Sequence, residues 1–318
     1  MAEQLKPVLV TGGRGFLGRA VGNLLRREGY DFVSLDQADV PQALPSTGSG
    51  QASPANTGHS AELTCDITDD QALQSLFEKR PVQAIVHLAA ILPTAAQLEP
   101  VRATHVNVHG SLNLLEVARR FGVRRFIFGS SVSIYGSCRR EQAISEQDRA
   151  APEDLYGAAK LYVEQLGQAY RERHGLDFVS LRIVRVVGPG ANSKTSAWRS
   201  EIFEKLNAKE PTEISIPYAG SERVLLAHVE DVARMIAALL RPKQFEHFVY
   251  NSPCESLPVD ELKREIERLN PNVRVRSGDS LVTGNPFRLD TARFESEFGF
   301  QQKSIFEHFR NARKGPSP

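Results

Sequence analysis

A glycine-rich turn near the start of the chain constrains the fold more than any other feature. Residues 8–20 read VLVTGGRGFLGRA, an apolar run followed by Gly12, Gly15 and Gly18 at three-residue spacing. A turn of this kind lets a helix begin directly after a strand and lets a pyrophosphate approach main-chain N–H groups. It predicts the first strand and helix of a dinucleotide-binding domain. We expect the cofactor to contact the three glycines together with Phe16 and Leu17.

The rest of the N-terminal half repeats the same alternation of strand and helix. Short apolar runs rich in Val, Ile and Phe are separated by segments with apolar residues at three- and four-residue spacing, which is the helical period. The six predicted strands are PVLVT, DFVSLD, AELTCD, AIVHLA, RRFIFGS and DFVSLRIV. Alternating strands and helices predict an α/β fold with a Rossmann doubly wound parallel sheet.

The alternation loosens after about residue 185. Helical patterns follow at 197–208, 229–240, 258–269 and 290–298, separated by short strands such as FVYN. We therefore predict a Rossmann domain over residues 1–184, to which some C-terminal strands and helices partly return. Residues 185–318 are predicted to form mainly a smaller mixed α/β substrate lobe. Residues 41–60, rich in Pro, Ser and Gly, are predicted to be a mobile surface loop, with a lid over the cofactor as the alternative.

Composition excludes several classes of function. The net charge is +1, with 39 basic against 38 acidic residues, so a nucleic-acid partner is not expected. The apolar segments are too short to cross a bilayer and the N-terminus lacks a signal-peptide pattern, so we expect no membrane association. Three cysteines without metal-ligand spacing fit a reducing, cytoplasmic location and give no indication of a metal site.

Two acidic residues at strand ends bear on the choice of cofactor. Asp36 closes the second predicted strand, 18 residues after Gly18, where an acid accepts hydrogen bonds from ribose hydroxyls and disfavours a 2′-phosphate. NAD is therefore expected, although Arg14 within the turn is placed to pair with the 2′-phosphate of NADP. Asp66 ends the third strand, where it is expected to hold the adenine amino group or, alternatively, to cap the following helix.

The glycine turn is followed, in order, by HLAA at 87–90, NVHGSLNLLEVA at 107–118, SSVSIYG at 130–136 and YGAAK at 156–160. This ordered series resembles the extended short-chain dehydrogenase/reductase superfamily in its NAD-dependent epimerase/dehydratase branch. The resemblance covers nearly the whole chain. It implies homodimerisation through helices near 101–120 and 155–174. It also implies further cofactor contacts from Ile67, Leu88, Ala89 and Ala90.

The resemblance also implies the catalytic residues. Tyr156 would move a proton at a substrate hydroxyl or carbonyl, but an ordinary phenol is too weak a base at neutral pH. Lys160, one helical turn later, would lower the pKa of Tyr156 and reach the nicotinamide ribose. Ser131 would hydrogen-bond the reacting oxygen, with Ser133 as a competitor if the segment stays strand-like. Asn107 would support Lys160.

The resemblance does not decide the reaction. Related sugar-nucleotide enzymes carry a segment like R-x-x-N-V-Y-G-P-R, whereas this chain has LRIVRVVGPG at 181–190, with Arg185 in place of Asn. Segments at 188–198 and 221–236 are more similar to L-threonine and D-erythronate dehydrogenases, which handle small polar acids. Either guanidinium, Arg185 or Arg223, would suit an anionic substrate, with Thr195 adding a hydroxyl. Trp198 is expected to be a core residue.

Three functions follow as hypotheses. The first is an NAD-dependent dehydrogenase or epimerase that transfers hydride at a secondary hydroxyl carbon of a sugar-like or hydroxy-acid substrate. The second is a UDP-sugar 4-epimerase. The third is a non-catalytic NAD(P)-sensing Rossmann protein, which would have no need of Ser131, Tyr156 and Lys160.

Overall fold

The computed structural model describes residues 5–37, 60–139, 141–191, 196–241 and 243–314. The first six strands correspond to the six predicted ones: β1 (Val8–Thr11), β2 (Phe32–Asp36), β3 (Ser60–Thr64), β4 (Ala84–His87), β5 (Arg125–Ser131) and β6 (Asp177–Ile183). Residues 41–59 of the predicted mobile loop, and the predicted substrate residue Thr195, lie outside the described ranges.

Helices separate these strands as the spacing predicts. They are α1 (Phe16–Arg27), α2 (Asp70–Lys79), α3 (Pro93–Leu98), α4 (Pro100–Thr104), α5 (Ser111–Arg120) and α6 (Leu155–His174). A π-helical turn, His105–Gly110, joins α4 to α5, and a 3-10 turn, Val132–Tyr135, follows β5.

The C-terminal part contains six more strands and five helices within the described residues. The strands are β7 (Arg185–Val187), β8 (Thr212–Tyr218), β9 (Arg223–His228), β10 (Val249–Asn251), β11 (Glu255–Pro258) and β12 (Val273–Ser280). The helices are α7 (Trp198–Lys205), α8 (Val229–Leu239), α9 (Val259–Leu269), α10 (Ala292–Phe298) and α11 (Ile305–Lys314).

Seven strands form one sheet in the order β10-β6-β5-β4-β1-β2-β3, and every neighbouring pair is parallel. The prediction of a doubly wound parallel sheet is confirmed. The short strand FVYN supplies β10, so this piece of the C-terminal half lies in the main sheet beside β6. Smaller sheets, β11-β9-β7 and β12-β8, build the second lobe.

Apolar residues cover both faces of the main sheet. Along β1, Val8 and Val10 pack on the face that α1 and α8 cover, whereas Leu9 packs on the face of α2, α5 and α6. A strand buried on both sides needs an uninterrupted apolar run, which explains the composition of the predicted strands. A third cluster around α7, α9 and α11 forms the core of the second lobe and contains Trp198, as predicted.

None of the described helices combines the length and hydropathy needed to span a bilayer.

Candidate active site

The glycine turn lies between β1 and α1 at the carboxyl edge of the sheet. Gly12 has φ +68°, and a Cβ atom there would approach the Ala89 main-chain nitrogen to 2.8 Å. A Cβ on Gly18 would lie 2.1 Å from the Gly12 carbonyl oxygen, so a side chain would force α1 away from the turn. No side chain caps the first turn of α1, and its free N–H groups are suited to an anion such as a pyrophosphate.

The carboxylate of Asp36 stands at the end of β2, next to this turn. Its Oδ2 accepts a hydrogen bond from the Arg14 main-chain N–H at 3.0 Å. The Arg14 side chain extends to β3, where Nη2 donates to Thr64 Oγ1 at 3.3 Å and Nε lies 3.9 Å from a Glu62 oxygen. Asp36 and Arg14, the two residues expected to influence the choice of cofactor, therefore both lie at the turn. Asp36 is at the position that favours ribose hydroxyls.

Asp66 is exposed after β3 and makes a local turn. Its Oδ1 accepts from the N–H and the hydroxyl of Thr68, at 2.9 and 2.8 Å. The residue that caps α2 is Asp69, which accepts from the Ala72 N–H. The alternative role of Asp66 as the helix cap was therefore wrong. The neighbouring Ile67 is buried.

The segment after β4 is fixed against the turn by buried polar contacts. Leu88 and Ala89 donate their N–H groups to the carbonyl and hydroxyl oxygens of Thr11. Asn107 accepts from the Ile91 N–H at 2.7 Å and donates to the Ile91 carbonyl at 2.9 Å. The Asn107 side chain thus holds Ile91 in place, whereas its support of Lys160 through backbone and water contacts stays a prediction. Sequence reasoning did not identify this role.

His87 is fully buried at the end of β4. Its ring nitrogens lie 2.7 Å from Thr11 Oγ1 and 2.8 Å from Ser111 Oγ. Burial, with a smaller contribution from the charge of Lys160, lowers the pKa of His87 to about 3. A histidine that stays neutral and has both nitrogens occupied packs the strand end and is unsuited to act as a base.

Ser131 ends β5, and the chain then enters the 3-10 turn that contains Ser133. The expectation that Ser133 continues a strand was therefore wrong. The turn nevertheless places the two hydroxyls 3.1 Å apart, with Ser131 donating to Ser133, while the Ser133 N–H donates back to Ser131 Oγ. Both hydroxyls lie at the carboxyl end of the sheet, the edge at which open α/β sheets bind ligands.

Tyr156 and Lys160 project from the first turns of α6. Asp154 caps this helix by accepting from the Gly157 N–H. Lys160 is buried, with Nζ donating to the Gly129 carbonyl at 2.7 Å and lying 5.4 Å from the centre of the Tyr156 ring. Burial lowers the pKa of Lys160 to about 7. The Lys160 amine is therefore divided between its charged and neutral forms near neutral pH.

The pKa of Tyr156 is displaced in the direction opposite to the one expected. Burial raises it, and the negative charge of Asp154 raises it further. A hydrogen bond with Ser131 and the positive charge of Arg199 act in the other direction but do not prevail. A raised pKa favours the protonated phenol, which can donate a proton, whereas accepting a proton from a substrate hydroxyl requires the tyrosinate form.

Arginines of the second lobe take up two different arrangements. Arg185, at the start of β7, lies over the Tyr218 ring at 5.4 Å, and its charge acts on Arg199 of α7. Sequence reasoning missed Arg199, because nothing in the sequence told which way a helical arginine beside a core tryptophan points. Arg223 instead donates to the hydroxyl and carbonyl of Ser256, beside a cavity of about 340 Å³.

The cavity beside Arg223 is separate from the Tyr156 site. Its lining comprises Ala143, Arg223, Leu225, Cys254, Ser256, Arg288 and Leu289. None of the residues around Tyr156 is among them, so the structure places Arg223 in a different environment from Arg185.

Comparisons with known proteins identify the family. The model of the NAD-dependent epimerase/dehydratase family matches residues 8–251. The chain is 28% identical over 263 residues to a UDP-glucuronate 4-epimerase of Thermodesulfobacterium geofontis, covering 82% of this chain and 80% of that protein. It is 32% identical over 176 residues to a uronate dehydrogenase of Pseudomonas putida, covering 55% of this chain and 59% of that protein.

The solved structure of L-threonine 3-dehydrogenase from Trypanosoma brucei has the same fold. The two superpose with a TM-score of 0.81 at 22% identity, covering 96% of this chain and 94% of that one. The fold, the glycine turn and the match over residues 8–251 agree with the resemblance that the motifs carry. The chain belongs to the NAD-dependent epimerase/dehydratase family of the extended short-chain dehydrogenases/reductases, and it is an NAD-dependent enzyme.

Proposed function

We propose that this protein is an oxidoreductase that interconverts a secondary alcohol and its ketone on a sugar-derived or hydroxy-acid substrate, with Tyr156 as the proton-transferring residue. The observation that carries the proposal is the convergence of Ser131, Tyr156 and Lys160 at the carboxyl edge of the sheet. The Ser131 side chain acts on Tyr156 by lowering its pKa, and Lys160 Nζ lies 5.4 Å from the centre of the Tyr156 ring. The glycine turn opens at the same edge.

The residues divide the chemistry among them. NAD+ supplies the hydride acceptor when bound, and the C–H bond of the carbinol breaks as its oxygen loses a proton. Tyr156 takes or returns that proton, and the Ser131 hydroxyl orients the substrate oxygen. The ammonium form of Lys160 stabilises tyrosinate electrostatically. In the glycine turn, N–H groups would hold the pyrophosphate of the cofactor, and Asp36 would hold the adenosine ribose.

The raised pKa of Tyr156 gives the two directions different pH dependences. Reduction of a ketone consumes the phenol proton, which Tyr156 carries throughout the neutral range. Oxidation of the alcohol requires tyrosinate, whose fraction grows with pH. We therefore expect kcat/KM for oxidation to rise from pH 7 to pH 10, and kcat/KM for reduction to be flat or to fall over the same range.

The curated relatives support an acidic sugar as the substrate class. One acts on UDP-glucuronate and the other on a uronate, according to their names, so both handle a sugar carboxylate. The similarity to the first extends over 82% of this chain, and this favours a UDP-sugar 4-epimerase as the second candidate function. Arg185 stands where sugar-nucleotide enzymes typically have an asparagine, and this difference favours the dehydrogenase.

Tyr156→Phe tests the proposed chemistry. This variant keeps the ring and removes the hydroxyl, so NAD affinity should stay within about twofold while turnover falls by at least about 100-fold. Tyr162→Phe is the matched control, because Tyr162 lies on the same helix and is 55% exposed. Activity of Tyr156→Phe equal to that of Tyr162→Phe would refute the proposal and leave an NAD-sensing protein as the remaining hypothesis.

The fate of the cofactor separates the two candidate reactions. Freshly purified protein is denatured, the released NAD(H) is quantified, and the native protein is titrated with UDP. Stoichiometric retained NAD with saturable UDP binding is the result expected of an epimerase that regenerates its cofactor in each cycle. Reversible NAD exchange, with NADH produced from a uronate or hydroxy acid, is the result expected of a dehydrogenase.

We also propose a cytoplasmic homodimer. α5 and α6 pack side by side, and nearby exposed apolar side chains include Val101 at 83% and Tyr162 at 55%. A second copy of the chain would cover this surface. Sedimentation should give twice the chain mass of 35.2 kDa, and Val101→Asp should shift the protein toward monomer.

A further inference from the structure

Two arginines of the second lobe are brought together without an acidic partner. Arg185 begins β7, and Arg199 lies in the first turn of α7. The Gly188 N–H donates to the Arg199 carbonyl and thereby joins the two segments. The positive charge of Arg185 adds to burial in lowering the pKa of Arg199, so the two guanidinium groups lie within electrostatic reach of one another.

Each guanidinium keeps a buried donor without a hydrogen-bond partner. These donors are Nη1 of Arg185 and Nε of Arg199. Among the described residues, Arg185 makes a single hydrogen bond, from Nη2 to the Thr283 carbonyl at 3.3 Å. In the part of the chain that the structure describes, no carboxylate forms an ion pair with either residue. Unpaired buried charge is costly, and two like charges side by side are more so.

Arg125 and Arg182, the two arginines that are buried in the described part of the chain, both pair with acids. Arg182 donates to both oxygens of Glu164, with Nη2 at 2.7 Å, and Arg125 donates to Asp177 at 2.6 Å. Each of these two buried guanidinium groups therefore has a carboxylate within hydrogen-bond distance. Arg185 and Arg199 depart from that pattern, which is expected when the missing partner is a ligand.

The pair also faces the reacting residue. The charge of Arg199 acts on Tyr156 and lowers its pKa. Tyr218 places its ring under Arg185, with the guanidinium carbon 5.4 Å from the ring centre, and this fixes the guanidinium plane. An anion bound here would therefore lie within electrostatic reach of Tyr156.

We infer that Arg185 and Arg199 together bind a carboxylate of the substrate, so that the substrate is an acid whose reacting hydroxyl is held at Tyr156. The inference rests on the proposed function, because it assigns the substrate class of that same site. A carboxylate matches the planar fork of a guanidinium and supplies acceptors for both unpartnered donors. In the reaction the carboxylate is unchanged, while the carbinol loses hydride to NAD+ and its hydroxyl proton to Tyr156.

The test uses the single tryptophan as a reporter. Trp198 is adjacent to Arg199, and its ring packs edge-on against Tyr218 at 6.4 Å. The NAD-loaded enzyme is titrated with D-glucuronate, D-galacturonate and malonate as carboxylate probes, and with D-glucose and D-galactose as neutral controls, following Trp198 fluorescence. We expect saturable binding of a carboxylate probe and none of the neutral sugars.

Arg185→Met and Arg199→Met should each weaken that binding at least tenfold and leave NAD affinity unchanged. Both variants should also unfold at a higher temperature than the wild type, because each removes an unpaired charge, so lost binding cannot be attributed to misfolding. Arg268→Met is the matched control, since Arg268 is exposed and pairs with Glu265.

Two results would overturn the inference. One is carboxylate binding that is absent or unaffected by both variants. The other is UDP or inorganic phosphate that binds to the arginine pair in preference to the carboxylates, which would assign the pair to a diphosphate. Binding is measured by fluorescence, independently of turnover. A carboxylate that binds through both arginines but is never oxidised would therefore support the carboxylate site, and it would refute only the proposed function.

Discussion

Replacing Lys160 by methionine is expected to stabilise the protein while abolishing turnover. Lys160 is 3% exposed, and burial moves its pKa from the ordinary 10.5 to about 7. The folded state therefore releases a proton that the unfolded chain retains between pH 7 and pH 10.5. Burying Lys160 with this lowered pKa therefore costs the folded state at most about 5 kcal/mol at pH 7, at about 1.4 kcal/mol for each unit of pKa shift. The lost hydrogen bond to the Gly129 carbonyl offsets about 1–3 kcal/mol of the gain.

The sign of the pH dependence makes this prediction specific. The unfolded wild-type chain binds the extra proton over this interval, so wild-type stability rises as pH rises from 7 toward 10.5. The methionine variant lacks that rise. Its advantage over the wild type should therefore shrink by about 2 kcal/mol between pH 7 and pH 9.

Urea denaturation of nucleotide-stripped protein at pH 7, 8 and 9 measures the effect. Wild type is compared with Lys160→Met and with Lys209→Met, a control at an exposed lysine. The Lys209 variant should differ from the wild type by the same amount at every pH. A Lys160→Met advantage that is absent at pH 7, or that does not change up to pH 9, would refute the assignment of a buried amine with a lowered pKa.

Two further predictions concern the cofactor side of the site. Asp36→Ala should weaken NAD binding at least tenfold and reduce the preference for NAD over NADP, because the acid that repels a 2′-phosphate near Arg14 is gone. Fluorescence titration with each dinucleotide measures both affinities. An unchanged ratio of the NAD and NADP affinities would argue against the role of Asp36. Asn107→Ala should lower the free energy of unfolding by about 2–4 kcal/mol, since it leaves the Ile91 N–H and carbonyl without their partners. A loss below about 1 kcal/mol in urea denaturation would show that water replaces the amide.

The fold was predictable because it depends on local patterns. Buried, largely apolar runs mark the central strands β1, β4, β5 and β6, and the glycine turn places α1 directly after β1. Ser131, Tyr156 and Lys160 followed from an ordered series of motifs, and their convergence needs only that parallel strands end at one edge. Features of this kind are determined by residues that are close together in the sequence, and tertiary contacts seldom change them.

Features that depend on distant contacts were not predictable. The amide of Asn107 meets Ile91 through a π-helical turn, and no sequence pattern gives that direction. The role of Arg199 depends on the segment that places it near Arg185 and Tyr156. The displaced pKa of Tyr156 follows from the depth of its burial, which is a property of the whole site. The resemblance implied a lowered pKa, which is the opposite sign.

β10 closes the main sheet at an edge that the first 184 residues leave open. Val249–Asn251 pair with Ser180–Arg182, and α8 packs on α1. A fragment that ends at residue 184 would expose the main-chain groups of β6 and an apolar face of α1, and bare strand edges of this kind recruit other chains. An exchange of substrate lobes between relatives must therefore leave residues 229–251 with the host sheet. The lobes are interleaved along the chain, and specificity can be transplanted only in two separate pieces.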